Sequence, residues 1–297
     1  MSYRVARIVQ PGKSNTKISH GLRYDIRACT VSLAASDTAG FNVCSRAIPR
    51  SRIRAQLAAG MSLPDIIAAG NAQGLSACSV ACVTNEAGKG AAGFVREPRI
   101  NLTNWYRENR AEFRAHLLAE LQSECTLATA AGQIAACRPN VDSDVPYERT
   151  IPEMFALPMQ YWDYTKVSKR LGQTPANYHL TYSVNDGTLP ADWQRVYDSG
   201  CNISVVFDTA WQPGGHANGR KFGQLPTWYT DPNGYRWRVV DGDRSDFRFL
   251  DDGPVCVGLR LKGFNFGRMV ARMSGFAVRV PRAVRGLFSK IHPAKEV

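Results

Sequence analysis

The run SACSVACVTNEAGKG places Cys78 and Cys82 four positions apart among small residues. Thiolates at that spacing share one face of a helical turn, and soft sulfur ligands suit zinc or an iron–sulfur cluster. A pair of buried thiols on one turn is the plainer reading of the same pattern. A second set is acidic. Asp241, Asp243 and Asp246 stand in DGDRSD, where Gly242 permits a tight turn and two carboxylates can face one cation or cationic group. Asp144 and Lys166 follow two strand-like runs, residues 139–142 and 159–163, and are expected side by side if those strands are parallel neighbours. Such a pair can act as acid and base, with both pKa values shifted by burial; it can equally be a salt bridge. Arg138, Asn140, Ser143 and Asp246 are the expected substrate contacts, with Arg260 and Lys262 on a later strand. These last two alternate, so both point one way and with Arg138 supply charge for a phosphate, or form a solvated face.

Positioning these groups takes strands that end in polar residues and return through helices. In such βα folds, functional groups gather at the carboxyl ends of parallel strands. Further strands are expected at residues 24–34, 177–184, 203–207 and 254–261. A hairpin is expected at 227–230 and 235–240 around Pro232-Asn233-Gly234. Helices are expected at 49–59, at 63–72 with Ser62 as N-cap, at 101–122 with Thr103 as N-cap, at 147–156, and at 190–199 stopped by Gly200. Residues 75–93, 126–136 and 208–223 read as loops. Residues 269–280 and 283–291 mix apolar and basic residues and read as helices. The expected fold is α/β, an incomplete or irregular β/α barrel. An arm spans 1–22, a single domain spans 23–263 with a helical hairpin inserted at 46–76, and a basic helical tail spans 264–297.

The chain of 297 residues is 44% hydrophobic, enough for a substantial core, and carries a net charge of +12. That balance points to an anionic partner: nucleic acid, a nucleotide or anionic lipid. From Phe264 onward seven Lys or Arg face a single acid, Glu296. RAQLAAGMSLPDIIAAG loosely has helix-turn-helix spacing. A non-catalytic nucleic-acid-binding protein, using the basic tail and the Arg-rich hairpin, is therefore the alternative to an enzyme. The N-terminus has no apolar signal core, so the eight cysteines imply a reducing, cytoplasmic compartment rather than a disulfide framework. No apolar run of about 18 residues offers a transmembrane helix. His179 reads as a core or rim residue, and Tyr161, Trp162 and Tyr164 as core aromatics. GxGxxG, P-loop, HExxH and GxSxG motifs are absent, which argues against the mechanisms they mark.

SACSVACVTNEAGKG, RPNVDSDVPYE, QYWDYTK, YHLTYS, VVFD, VVDGDRSDFRFLD and VCVGLRLKG occur in this order across residues 42–263. The ordered set resembles the phage "gene product 88" family of actinobacterial phages and mobile elements. The resemblance implies a phage setting, hence a host cytoplasm, and little about activity. It also implies a third cysteine just before the C-x-x-x-C pair. Here Cys44 stands 34 positions before Cys78, with the helical hairpin between. Three thiolates after the first strand of a partial barrel are similar to the ligand set of radical-SAM enzymes, although the usual spacing is absent. The expectation is an enzyme-like protein with Cys44, Cys78 and Cys82 around zinc or a 4Fe–4S cluster. Asp144, Lys166, Asp241 and Asp243 would be its catalytic groups, with nucleic acid or a nucleotide-linked molecule as substrate.

Overall fold

Seven parallel strands form the centre of one open sheet in the computed structural model of the chain. The structure describes residues 7–12, 16–19, 23–82, 92–209, 211–213, 220–263 and 265–280. The strands are β1 (Gln10–Pro11), β2 (Ile26–Thr30), β3 (Ile134–Arg138), β4 (Gln160–Thr165), β5 (Tyr178–Ser183), β6 (Ile203–Asp208), β7 (Trp211–Pro213), β8 (Arg220–Phe222), β9 (Trp228–Thr230), β10 (Arg236–Asp241), β11 (Cys256–Arg260) and β12 (Ala277–Arg279). The sheet order is β1-β2-β3-β4-β5-β6-β11-β10-β9. β2 to β6, β11 and β10 run parallel, while β1 and β9 cap the edges antiparallel. β12 lies parallel to the last part of β6, and β7 and β8 form a separate pair. Among the described residues the sheet does not close on itself. The fold is a mixed α/β arrangement with an open sheet, irregular because β11 inserts between β6 and β10.

The helices are α1 (Thr16–Ser19), α2 (Arg50–Ala58), α3 (Leu63–Asn71), α4 (Cys78–Ala81), α5 (Gly93–Glu108), α6 (Arg110–Ala130), α7 (Tyr147–Thr150), α8 (Pro190–Ser199) and α9 (Asn265–Met273). Alternation along the strands sends Cys137, Tyr161, Tyr178, Tyr182, Ile203, Val205 and Phe207 to one face. There they join Phe113, Leu117 and Leu121 of α6 and Trp193 and Val196 of α8 in the main core. Each large apolar side chain so buried contributes about 1.5–3 kcal/mol. On the opposite face Ile26, Ala136 and Trp162 meet Ile18 and Phe247, so the segment after β10 folds over β2–β4.

Local chemistry explains where the elements end. Ser62 caps α3 by accepting from the Asp65 N–H at 3.3 Å. Gly200 ends α8 at φ 60°, a conformation that favours glycine. The single helix expected at 101–122 is instead two helices, because the Asn109 side chain accepts from the Glu112 N–H and starts α6 there. Thr103 is not a cap. It lies inside α5, donating to the Arg99 carbonyl and accepting from the Ala34 N–H, each at 2.8 Å.

Other expected boundaries are corrected in the same way. The strand expected at 139–142 lies earlier, as β3, and α6 runs to Ala130 where a loop was expected. Small Ala135, Ala136 and Cys137 fit between two packed layers, while residues 139–145 are held in a turn by Asn140. Residues 147–156 divide into α7 and a 3-10 turn at Pro152–Ala156. The loop expected at 208–223 holds β7 and β8. The helix expected at 269–280 becomes α9 followed by β12, with Gly275 at φ 81° between them. The helix expected at 283–291 lies outside the described residues.

Candidate functional site at the strand ends

After β2 the chain carries Cys44, whose sulfur accepts from the Ser36 N–H at 3.3 Å and donates to the Asp142 carbonyl at 3.6 Å. The helical insertion then leaves and returns with its ends zipped together. The Ile48 N–H donates to the Ser76 carbonyl at 2.9 Å, and the Ser76 N–H to the Arg46 carbonyl at 2.8 Å. Closure of that loop brings α4, with Cys78 and Cys82, back to the neighbourhood of Cys44. Asp186, beyond β5, fixes the start of α4 by accepting from the Ser76 hydroxyl at 2.5 Å and the Ala77 N–H at 3.0 Å. Burial and then the nearby Cys78 push the Cys44 thiol well up, with smaller contributions from Cys82 and Asp144.

Lys166 lies one residue past β4. Its N–H donates to Asp144 at 2.9 Å, and Thr165 and Arg170 also bind that carboxylate, at 2.8 and 2.5 Å. The Asp144 carboxylate is therefore paired with Arg170, not with the Lys166 ammonium. Among the described residues no acceptor lies within hydrogen-bond reach of that ammonium. Desolvation pulls its pKa down, but the potential of Cys78, Asp144, Cys44 and Cys82 outweighs it and the net shift is upward. These five groups thus share one neighbourhood at the ends of β2, β3 and β4.

A buried network supports them. Arg170 is 2% exposed and donates to both Glu148 oxygens, at 2.8 and 2.9 Å, as well as to Asp144 and Tyr178. The Tyr178 hydroxyl donates to Asp163 at 2.7 Å, and Asn140 adds its backbone and side-chain N–H groups at 3.0 Å each. Burial pushes the Asp163 carboxyl up to about 7, against the opposing pull of Arg138, Tyr178 and Asn140. Ser143 donates to Asn140 at 2.7 Å, so both residues hold the turn after β3. Arg99 of α5 reaches Asp142 in the same turn at 3.0 Å.

The acidic set stands at the ends of β10 and β11. Arg260 donates to both Asp241 oxygens, at 2.9 and 3.0 Å, and to Asp243 at 3.1 Å. Lys262 reaches Asp243 at 2.6 Å and Lys17 reaches it at 3.0 Å. Burial would raise the Asp243 pKa, but Lys17 and Lys262 hold it well below the usual carboxylate range. Gly242 is required by space, since a Cβ there would sit 2.4 Å from Val257 Cγ1. Asp246 stands apart from its two neighbours. It accepts from Arg138 at 2.7 Å and Tyr164 at 3.2 Å, joining the segment after β10 to β3 and β4. His179 is partly buried against Asn202, and burial lowers its pKa to about 4.

Cys44, Cys78 and Cys82 are the side chains here suited to a soft metal. Among the described residues, no three His, Cys, Asp or Glu groups are arranged to hold a metal ion as they stand. Arg170, Asp163, Asp186 and Lys17 escaped the sequence reading. An acid inside an otherwise buried strand, and a basic residue four positions after a strand-end lysine, were the signals for Asp163 and Arg170.

Polar groups thus collect at the carboxyl ends of the parallel strands of a mixed α/β protein with an open sheet. The chain belongs to the Gene product 88 family, a phage and mobile-element family whose model matches residues 9–280. No curated protein and no solved structure matches it. Among the described residues no helix is long and apolar enough to cross a membrane.

Proposed function

We propose that this chain is an enzyme-like protein whose reaction site is the rim around Lys166. In this reading Cys44, Cys78 and Cys82 hold zinc or a 4Fe–4S cluster, and the substrate is nucleic acid or a nucleotide-linked molecule. The observation that carries the reading is the Lys166 ammonium, set among three thiols and Asp144 with no acceptor of its own among the described residues. The surrounding groups more than offset its desolvation, so the ammonium keeps its charge with its donors uncommitted. Metal-bound thiolates would add negative charge beside that ammonium.

Metal binding would release protons from the thiols it takes as ligands, and, since no three potential ligands among the described residues are arranged for a metal as they stand, it would have to bring the sulfurs together. The bound group would supply Lewis-acid chemistry as zinc, or electron transfer as a cluster. The chain's own residues have separate tasks. Lys166 balances the thiolates or a substrate anion. Asp144, fixed by Arg170 and the Lys166 N–H, presents a stationary acceptor edge. Asp241 and Asp243 position Arg260 and Lys262, whose charge suits a phosphate. The net charge of +12 supports an anionic substrate.

Protein purified without oxygen is expected to carry iron with sulfide, or zinc, and to lose it in Cys78→Ala and Cys82→Ala. Fully folded wild-type protein that takes up neither metal overturns the reading.

A further inference from the structure

At the opposite end of the sheet, where the parallel strands begin, the β9–β10 hairpin has a different character. Its register pairs Arg236 with Thr230, Trp237 with Tyr229 and Arg238 with Trp228. Alternation therefore sets Trp228, Thr230, Arg236 and Arg238 on one face, all exposed, and Trp237 on the other, buried. The Arg236 guanidinium lies 4.8 Å from the centre of the Trp228 ring, and among the described residues no carboxylate pairs with it.

Beneath the turn is a cavity of about 390 Å³, walled by Tyr197 of α8 with Asn233, Tyr235, Trp237 and Pro254. The Tyr197 and Trp237 rings lie within 19° of parallel, and Tyr235 meets Trp237 edge-on with centroids 5.0 Å apart. One carboxylate fixes these walls. Asp231 accepts from the Tyr197 hydroxyl at 2.6 Å, the Trp237 indole at 3.1 Å, and the N–H groups of Asn233 and Tyr235 at 2.9 and 3.0 Å. Trp228 and Tyr235 remain 47% and 53% exposed.

We infer that this hairpin end binds single-stranded nucleic acid, with an unpaired base entering the aromatic cavity beside Tyr235 and backbone phosphates lying along Arg236 and Arg238. Flat, fixed aromatic faces accept any base by stacking, worth about 1–3 kcal/mol per base. Guanidinium groups match phosphate oxygens. Bases stacked inside a duplex have no free face to offer, which selects the single strand. Of the neighbouring acids, Asp251 pairs with Arg248 at 3.3 Å. Among the described residues Asp231 and Asp198 accept only from neutral donors and keep their charge, which directs phosphates to the Arg236 and Arg238 side. Arg238 donates to the Asp252 carbonyl and keeps its charge. The surface stands apart from the thiol rim, at the other end of the strands.

The test is fluorescence anisotropy of the full chain with labelled oligothymidylate, an abasic strand of the same length, and a duplex. Tyr235→Ala is expected to weaken oligothymidylate binding about tenfold or more and to leave abasic binding nearly unchanged. Arg236→Glu, at an exposed position with little risk to folding, is expected to weaken both single strands and to lower the salt slope by about one. Tyr235→Leu keeps the cavity covered without a flat polar ring, and serves if the alanine variant fails to fold. Equal affinity for the abasic strand or for the duplex overturns the inference. So does wild-type protein that binds none of the three, or binding that survives all three variants and is lost only when residues 281–297 are removed.

Discussion

At the ends of β10 and β11 every carboxylate has its cation: Asp241 faces Arg260, and Asp243 faces Arg260, Lys262 and Lys17. At the ends of β2–β4 Asp144 and Glu148 share Arg170, and Lys166 stands in the field of Asp144, Asp186 and three thiols without a direct ion pair among the described residues. The two halves of the rim hold similar residue types. What separates them is direct contact. A closed set of ion pairs holds strands and loops in place, whereas a cation favoured by its surroundings but in direct contact with none of them keeps its donors for something that binds. By that measure the acidic half is the braced one, and the proposed chemistry falls to the thiol half.

The contrast can be broken most forcefully at Arg170. Arg170→Leu strands two buried carboxylates and is expected to cost about 3–5 kcal/mol in urea denaturation. A loss under about 1 kcal/mol would mean that the network does not hold the thiol half. Acid comes next, and it should act oppositely on two carboxylates. The Asp163 pKa is raised to about 7, so its contribution is full below the unfolded value near 3.8 and is lost as pH rises through 7. The slope over that window is at most about 1.4 kcal/mol per pH unit, and Asp163→Asn should remove it from urea midpoints. The Asp243 pKa is lowered, so its contribution is present above 3.8 and is lost as pH falls through the folded value. Urea midpoints of Asp243→Asn should therefore approach wild type only in strong acid.

Smaller effects sharpen the comparison. Arg260→Leu should cost about 1–3 kcal/mol, less than Arg170→Leu, because Asp243 keeps Lys17 and Lys262. Lys166→Met in metal-free protein should change stability by no more than about 1 kcal/mol, since no acceptor among the described residues is deprived. A loss as large as that of Arg260→Leu would place Lys166 among the structural ion pairs and remove the difference between the halves.

Several elements were legible because local chemistry alone decides them. Ser62 before Pro64 starts α3, Gly200 ends α8, and Pro232-Asn233-Gly234 turns the β9–β10 hairpin. The apolar run of β6 is that of a strand covered on both faces. β3 was displaced in the sequence reading because Ala135 and Ala136 carry no strand preference of their own, and the layers above and below select them. The site was legible as a set of groups and not as a set of pairs. Arg170 sits in a 3-10 turn, Ser168–Arg170, without periodicity, so nothing local announces that it, rather than Lys166, faces Asp144. Asp186 reads as part of a turn, and its hold on Ser76 spans 110 positions of chain.

β12 has a consequence for how the chain is assembled. β5 pairs only with the start of β6, at Ile203 and Ser204, and β12 takes over the same edge from Val206 to Asp208. The sheet therefore forks, and three of the last described residues fill the gap. During synthesis the fork stays open until Ala277–Arg279 has left the ribosome, leaving an apolar strand edge without a neighbour. The order of translation thus makes closing this seam one of the final steps by which the chain becomes a finished sheet.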